Sequence, residues 1–134
     1  MGQNRRGQAA LEYMLLLGVL LAFLVPVLIY STETTARSVS ALEGKHAVQS
    51  IADAADRIYA MGGGRIFTLV TIPPGVARQS VANKTIRLTL SRGDTTADIV
   101  GSTVGNISGS IPTGYGTHRV AVEMLAGGII NISS

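Results

Sequence analysis

The sequence predicts an α+β chain in which one long N-terminal hydrophobic α-helix is followed by a small antiparallel β-sheet or sandwich. Three observations predict it. Apolar residues are concentrated in a charge-free stretch near the N-terminus, three- and four-residue periodicity runs on from there to residue 61, and from Arg65 the period changes to two. The chain has 134 residues, 46% hydrophobic and 14% charged, whereas about a quarter of a soluble domain is charged. That length suits one small domain plus one long helix.

Residues 14–30 read MLLLGVLLAFLVPVLIY, and no charge occurs from Tyr13 to Thr32. At 1.5 Å per residue this apolar run gives roughly 25 Å, near the lower limit for a membrane-spanning helix. Twelve of its residues are Leu, Val, Ile or Phe, and together they favour insertion by roughly 4 to 7 kcal/mol. Arg5 and Arg6 precede the run, so the positive-inside tendency keeps the N-terminus cytoplasmic and puts residues beyond about Glu33 outside. A conventional secretory signal has a shorter apolar run and an A-x-A-like cleavage site. A plain single-pass anchor fits the length, but it gives no role to Glu12 at the head of the run, where an unpaired carboxylate is costly in hydrocarbon.

Beyond the apolar run, Val39, Leu42, Val48, Ile51, Ala52, Ala55, Ile58 and Tyr59 recur at helical spacing, with Glu43, Lys45, Asp53 and Arg57 on other faces. No strong breaker precedes Gly62-Gly63-Gly64, which predicts one nearly continuous helix over 8–61, bent at Pro26 by a missing hydrogen bond. Such a helix is about 80 Å long, too long for the core of so small a globule. Its first part, residues 8–30, needs lipid or sister helices for cover. The second, residues 31–61, is amphipathic and suited to pack on a head domain of residues 65–134.

Within that head, residues 65–72 and 84–90 alternate as strands, the first stopped by Pro73-Pro74-Gly75. Arg92-Gly93-Asp94 predicts a tight connection to a strand over 95–101. Further runs lie near 104–107, 118–125 and 129–132.

The junction Arg5-Arg6-Gly7-Gln8-Ala9-Ala10-Leu11-Glu12-Tyr13 suggests what Glu12 is for. A cut between Gly7 and Gln8 removes both arginines and creates an α-amine four residues before Glu12, at the positive end of the helix dipole. The new end is nearly neutral and can leave the cytoplasmic face. In a bundle, Glu12 can pair with a neighbour's amine.

Gly7, then Gln8-Ala9-Ala10-Leu11-Glu12-Tyr13 and the apolar run, resemble the class III signal peptide of archaeal type IV pilins, with its Q-x-S/A-x-E pattern. Ala10 stands where Ser is frequent. The resemblance covers about a dozen residues, and the Pro-Pro-Gly corner and short Thr-rich strands are similar to archaeal pilin heads in a looser way. It implies a type IV pilin-like fold and a cleaved leader of residues 1–7. It also implies processing by a membrane prepilin peptidase between Gly7 and Gln8, a membrane platform with an assembly ATPase, and Glu12 at the acidic assembly position. The product is a homopolymer, a surface filament with adhesion, motility, DNA uptake or biofilm among its uses. An archaellum subunit shares this plan, and a minor pilin or membrane-anchored exterior binding protein is the alternative of a different class.

Other chemistry finds little in the sequence. Net charge is +3, and without the first seven residues nine basic stand against eight acidic residues, so no basic patch for nucleic acid is expected. There is no cysteine, and His46 and His118 stand apart from acidic clusters, so no metal site, no cofactor and no enzymatic activity are expected. Neither G-x-S-x-G nor a phosphate-binding glycine motif occurs. Asn83, Asn106 and Asn131 begin three N-glycosylation sequons, all in the head, and are candidate acceptors in an exported protein.

Overall fold

The computed structural model describes residues 3–134, with side chains throughout except those of residues 3–6 and Glu33. A single helix, α1 (Gln3–Met61), is followed by five strands: β1 (Arg65–Ile72), β2 (Val76–Arg92), β3 (Thr95–Gly109), β4 (Gly116–Met124) and β5 (Ile130–Ser133). The chain divides into two compact units, one up to Arg37 and one of Ser38–Ser134, so the boundary falls inside α1.

In the first unit the helix begins before Gly7, earlier than the expected start at Gln8, and it continues without interruption through Pro26. Just after the apolar run, the hydroxyls of Thr32, Thr34 and Thr35 donate to the carbonyls of Ile29, Tyr30 and Ser31 at 2.8 to 2.9 Å. Bonding back to the preceding turn gives the three hydroxyls partners within the helix, at a slight cost to the helix itself.

In the second unit α1 ends as the triple glycine demands. Gly62, at φ 73°, donates to the Tyr59 carbonyl at 3.2 Å and Gly63 donates to that of Ile58 at 3.3 Å. This is a Schellman cap, whose left-handed residue is best filled by glycine. The five strands form one sheet in the order β1-β4-β5-β3-β2. The sheet is mixed, whereas an all-antiparallel sheet or sandwich was expected. The C-terminal strand β5 inserts between β4 and β3, antiparallel to the first and parallel to the second. Its insertion between two earlier strands follows from long-range burial of Ile130 and Ile132, which local alternation does not encode.

One sheet face packs on α1. Ala47, Val48, Ile51, Ala52, Ala54, Ala55 and Ile58 join Val70, Ile72, Ile86, Leu88, Ile107, Val120, Val122, Ile130 and Ile132 in one buried cluster. Small residues set the approach. A Cβ on Gly101 would run into a methyl of Val48, and one on Gly105 would lie 2.6 Å from the Tyr59 ring. Val39, Leu42 and Tyr59, which periodicity assigns to the same helix face, are instead 48%, 58% and 47% exposed. With Val39 and Leu42 outside it, the buried helix face starts near Gly44, while Tyr59 keeps one edge of its ring against the sheet at Gly105.

Two strands are more irregular than alternation predicts. β3 runs unbroken from Thr95 to Gly109, but between Ser102 and Ile107 four residues stand opposite the single Lys84 of β2. The amide of Val104 in this bulge donates to the Asp56 carboxylate on α1 at 2.8 Å. β2 includes residues 76–83, which carry no alternation, and it doubles back on itself. Straight, 17 residues would span roughly 55 Å, yet the Ser91 amide donates to the Gly75 carbonyl at 2.7 Å. The reversal lies about Asn83, at φ 57° the one non-glycine among the described residues in the left-handed region, which Asn tolerates better than most side chains.

Candidate functional site

The residues proposed for processing and assembly lie on the first helical unit. The backbone of Arg5 and Arg6 is helical, while their side chains lie outside the described residues. Gly7 has open space around the position a Cβ would take. A peptide bond held in a helix must unwind before a peptidase can engage it, and glycine lowers that cost by about 1 kcal/mol relative to alanine. Gln8 and Glu12 are both exposed, and four-residue spacing puts them on one face of α1.

From Leu11 to Tyr30 sixteen large apolar side chains are exposed. On one face Leu16, Val19, Leu20, Phe23, Leu24 and Val27 line a shallow apolar groove of about 450 Å³. Their spacing is that of the ridges and grooves through which helices interlock. Pro26, beside this groove, lacks the amide that would bond the Ala22 carbonyl one turn earlier. By length and composition this part of α1, with mean hydropathy 2.6, can cross a membrane.

The chain matches no family model, no curated protein and no solved structure.

The three sequon asparagines occupy unlike positions. Asn83 is exposed at the reversal of β2, Asn106 is exposed in the bulge of β3, and Asn131 is half-buried on the interior strand β5, in register with Ser108 and Glu123. His118 bonds to the Gly114 carbonyl at 2.8 Å. His46 lines a small cavity of about 320 Å³ with Glu43 and Leu69, at the flank of β1. Among the described residues no three His, Asp or Glu side chains are grouped to hold a metal ion.

Alternation alone does not reveal the sheet face turned away from α1. There the Arg119 guanidinium lies 3.9 Å from the Phe67 ring centre and that of Arg65 4.9 Å from it. Arg65 also reaches Glu123, its cross-strand partner, at 3.5 Å. Two guanidinium groups thus stack on one half-exposed aromatic ring. The signal was in the sequence only as the period-two spacing of Arg65 and Phe67. The contribution of Arg119 needs the β1–β4 register.

Proposed function

We propose that this chain is the structural subunit of an archaeal type IV pilus-like surface filament. In this reading it starts as a precursor in the cytoplasmic membrane. A prepilin peptidase cuts between Gly7 and Gln8, and the mature helix then leaves the bilayer for a bundle of identical helices outside the cell. The observation that carries the reading is the run from Leu11 to Tyr30, whose large apolar side chains are all exposed on the isolated chain, headed by a single carboxylate at Glu12. Fully burying such a side chain stabilises by about 1.5 to 3 kcal/mol, so covering sixteen that are about half exposed is worth on the order of 15 kcal/mol. Lipid and a bundle of like helices both supply that cover, and removing Arg5 and Arg6 lowers the cost of exchanging one for the other.

Glu12 has its role at the point of exchange. In lipid it stands near the interface. In the bundle it meets the α-amine of a neighbouring Gln8, and a pair held in apolar surroundings sets the axial register between subunits. The groove of Leu16, Leu20 and Phe23 receives a ridge of the adjacent helix, while the sheet is displayed on the filament exterior. Asn83 and Asn106, being exposed, are the better glycan acceptors, and Asn131 the poorer one.

Electron microscopy of material sheared from cells that express the chain, with mass spectrometry of its main band, tests the proposal. Filaments built mainly of this protein support it. Its recovery only as a monomer in the membrane fraction refutes it.

A further inference from the structure

The reversal of β2 creates a cleft that the filament reading does not use. Its two arms are joined at one end by the Ser91 to Gly75 hydrogen bond and at the other by the turn about Asn83. Between them, and against β3, lies an open cleft of about 670 Å³ whose lining carries several polar and charged side chains. That volume is within the range of small-molecule sites, roughly 300 to 1,000 Å³.

The lining is chemically specific. One wall is the first arm, with Arg78, Gln79 and Ser80; the floor is made by Arg87, Thr89 and Asp98. Thr89 and Asp98 are cross-strand partners, and the Thr89 hydroxyl donates to Asp98 Oδ1 at 2.7 Å. The other carboxylate oxygen lies 4.0 Å from Arg87, so the two charges are neighbours while that oxygen keeps its lone pairs free. Gln79 spends its carbonyl oxygen on the Ile111 amide at 3.2 Å, which leaves its NH₂ group to donate. Among the described residues Arg78 has no ion-pair partner.

The geometry points to a binding site for an acidic saccharide, a ligand with a carboxylate on a polyhydroxylated ring. The two guanidinium groups match a carboxylate, because a planar fork of donors meets two acceptor oxygens. Asp98, the Gln79 amide and the hydroxyls of Ser80 and Thr96 match ring hydroxyls, which both donate and accept. Two other ligand classes fit less well. Among the described residues no aromatic ring lines the cleft, so a nucleobase has only guanidinium faces to stack on. An acidic peptide satisfies the arginines but offers one donor and one acceptor per backbone residue, where a sugar ring offers several hydroxyls that each do both.

Isothermal titration of the full chain in detergent micelles tests this without requiring polymerisation. The probe is tetragalacturonic acid, with maltotetraose as a neutral saccharide and sulfate as a bare anion. Tetragalacturonic acid is expected to bind with a Kd below about 1 mM, and Arg78→Gln to weaken it about tenfold or more, roughly the energy of one charged hydrogen-bonded contact. Arg65→Gln, which alters the Phe67 stack instead, is expected to leave the affinity unchanged. If Arg78→Gln perturbs folding, Arg87→Lys keeps the charge but removes the fork, and it too is expected to weaken binding. The inference is overturned if tetragalacturonic acid produces no binding heat. It is equally overturned if maltotetraose or sulfate alone binds as tightly, or if both cleft variants bind like the wild type.

Discussion

Replacing Ile51 by alanine tests the packing of α1 on the sheet, and the structure supplies the magnitude. Ile51 is fully buried, and the change removes three carbons, a transfer loss of about 2.4 kcal/mol at 0.8 kcal/mol per group. If about half of the vacated volume of roughly 80 Å³ persists as a cavity, the residual void adds about 1 kcal/mol. Ile51→Ala should therefore cost about 3 to 4 kcal/mol, inside the usual range for such truncations. Leu42→Ala is the control: it stands nine positions earlier and is 58% exposed, so it should cost about 0.5 kcal/mol, as surface changes do. The assay is guanidinium unfolding of the full chain in detergent, followed by tyrosine fluorescence, since Tyr59 lies against the sheet at Gly105. Equal destabilisation by the two variants would refute the helix register and put the buried face back at Val39 and Leu42.

Two further outcomes follow from the same packing, and a third from the exposure of the sequon asparagines. Gly101→Ala drives a Cβ into Val48 and should destabilise by about 1 to 3 kcal/mol through overpacking, with Val48→Ala in the same chain recovering part of the loss; simple additivity of the two denaturation shifts contradicts the contact. Asp56→Ala removes the acceptor for the Val104 amide, so hydrogen exchange at Val104 should accelerate about tenfold while amides of β4 stay protected; unchanged exchange there contradicts the capped bulge. Intact-mass measurement of assembled material should show glycan mass that falls after Asn83→Gln or Asn106→Gln but not after Asn131→Gln, and a mass equal to the bare processed chain removes glycosylation from the account.

The parts of this fold that were legible in sequence are those with a local cause. The charge-free run to Thr32 lies inside α1, and the Gly62-Gly63-Gly64 stop ends it. Arg92-Gly93-Asp94 predicts the β2–β3 turn because Gly93, at φ 62°, provides the left-handed residue such two-residue loops require. Illegible parts depend on distant partners. The insertion of β5 is decided by where Ile130 and Ile132 find cover. The β3 bulge is held by Asp56 on a helix 48 positions away, and the reversal of β2 turns on one asparagine in a stretch with no hydrophobic pattern. Val39 and Leu42 illustrate a related limit: three- and four-residue periodicity marks a helix face, but it does not say where along the helix the sheet ends. At the candidate sites, the proposed junction from Arg5 to Glu12 is a contiguous stretch, so the proposal can be framed from sequence alone. The Arg78, Arg87 and Asp98 cleft cannot, since only the fold-back of β2 brings it together.

The most direct test of the central claim is the N-terminal sequence of the chain in its assembled state. Filaments sheared from the cell surface and depolymerised should yield Gln8-Ala9-Ala10-Leu11-Glu12 as the first residues, and Glu12→Ala should be processed at the same bond yet fail to polymerise. A chain that retains the residues before Gln8 and is found singly in the membrane, or Glu12→Ala subunits that assemble as well as the wild type, would contradict the account.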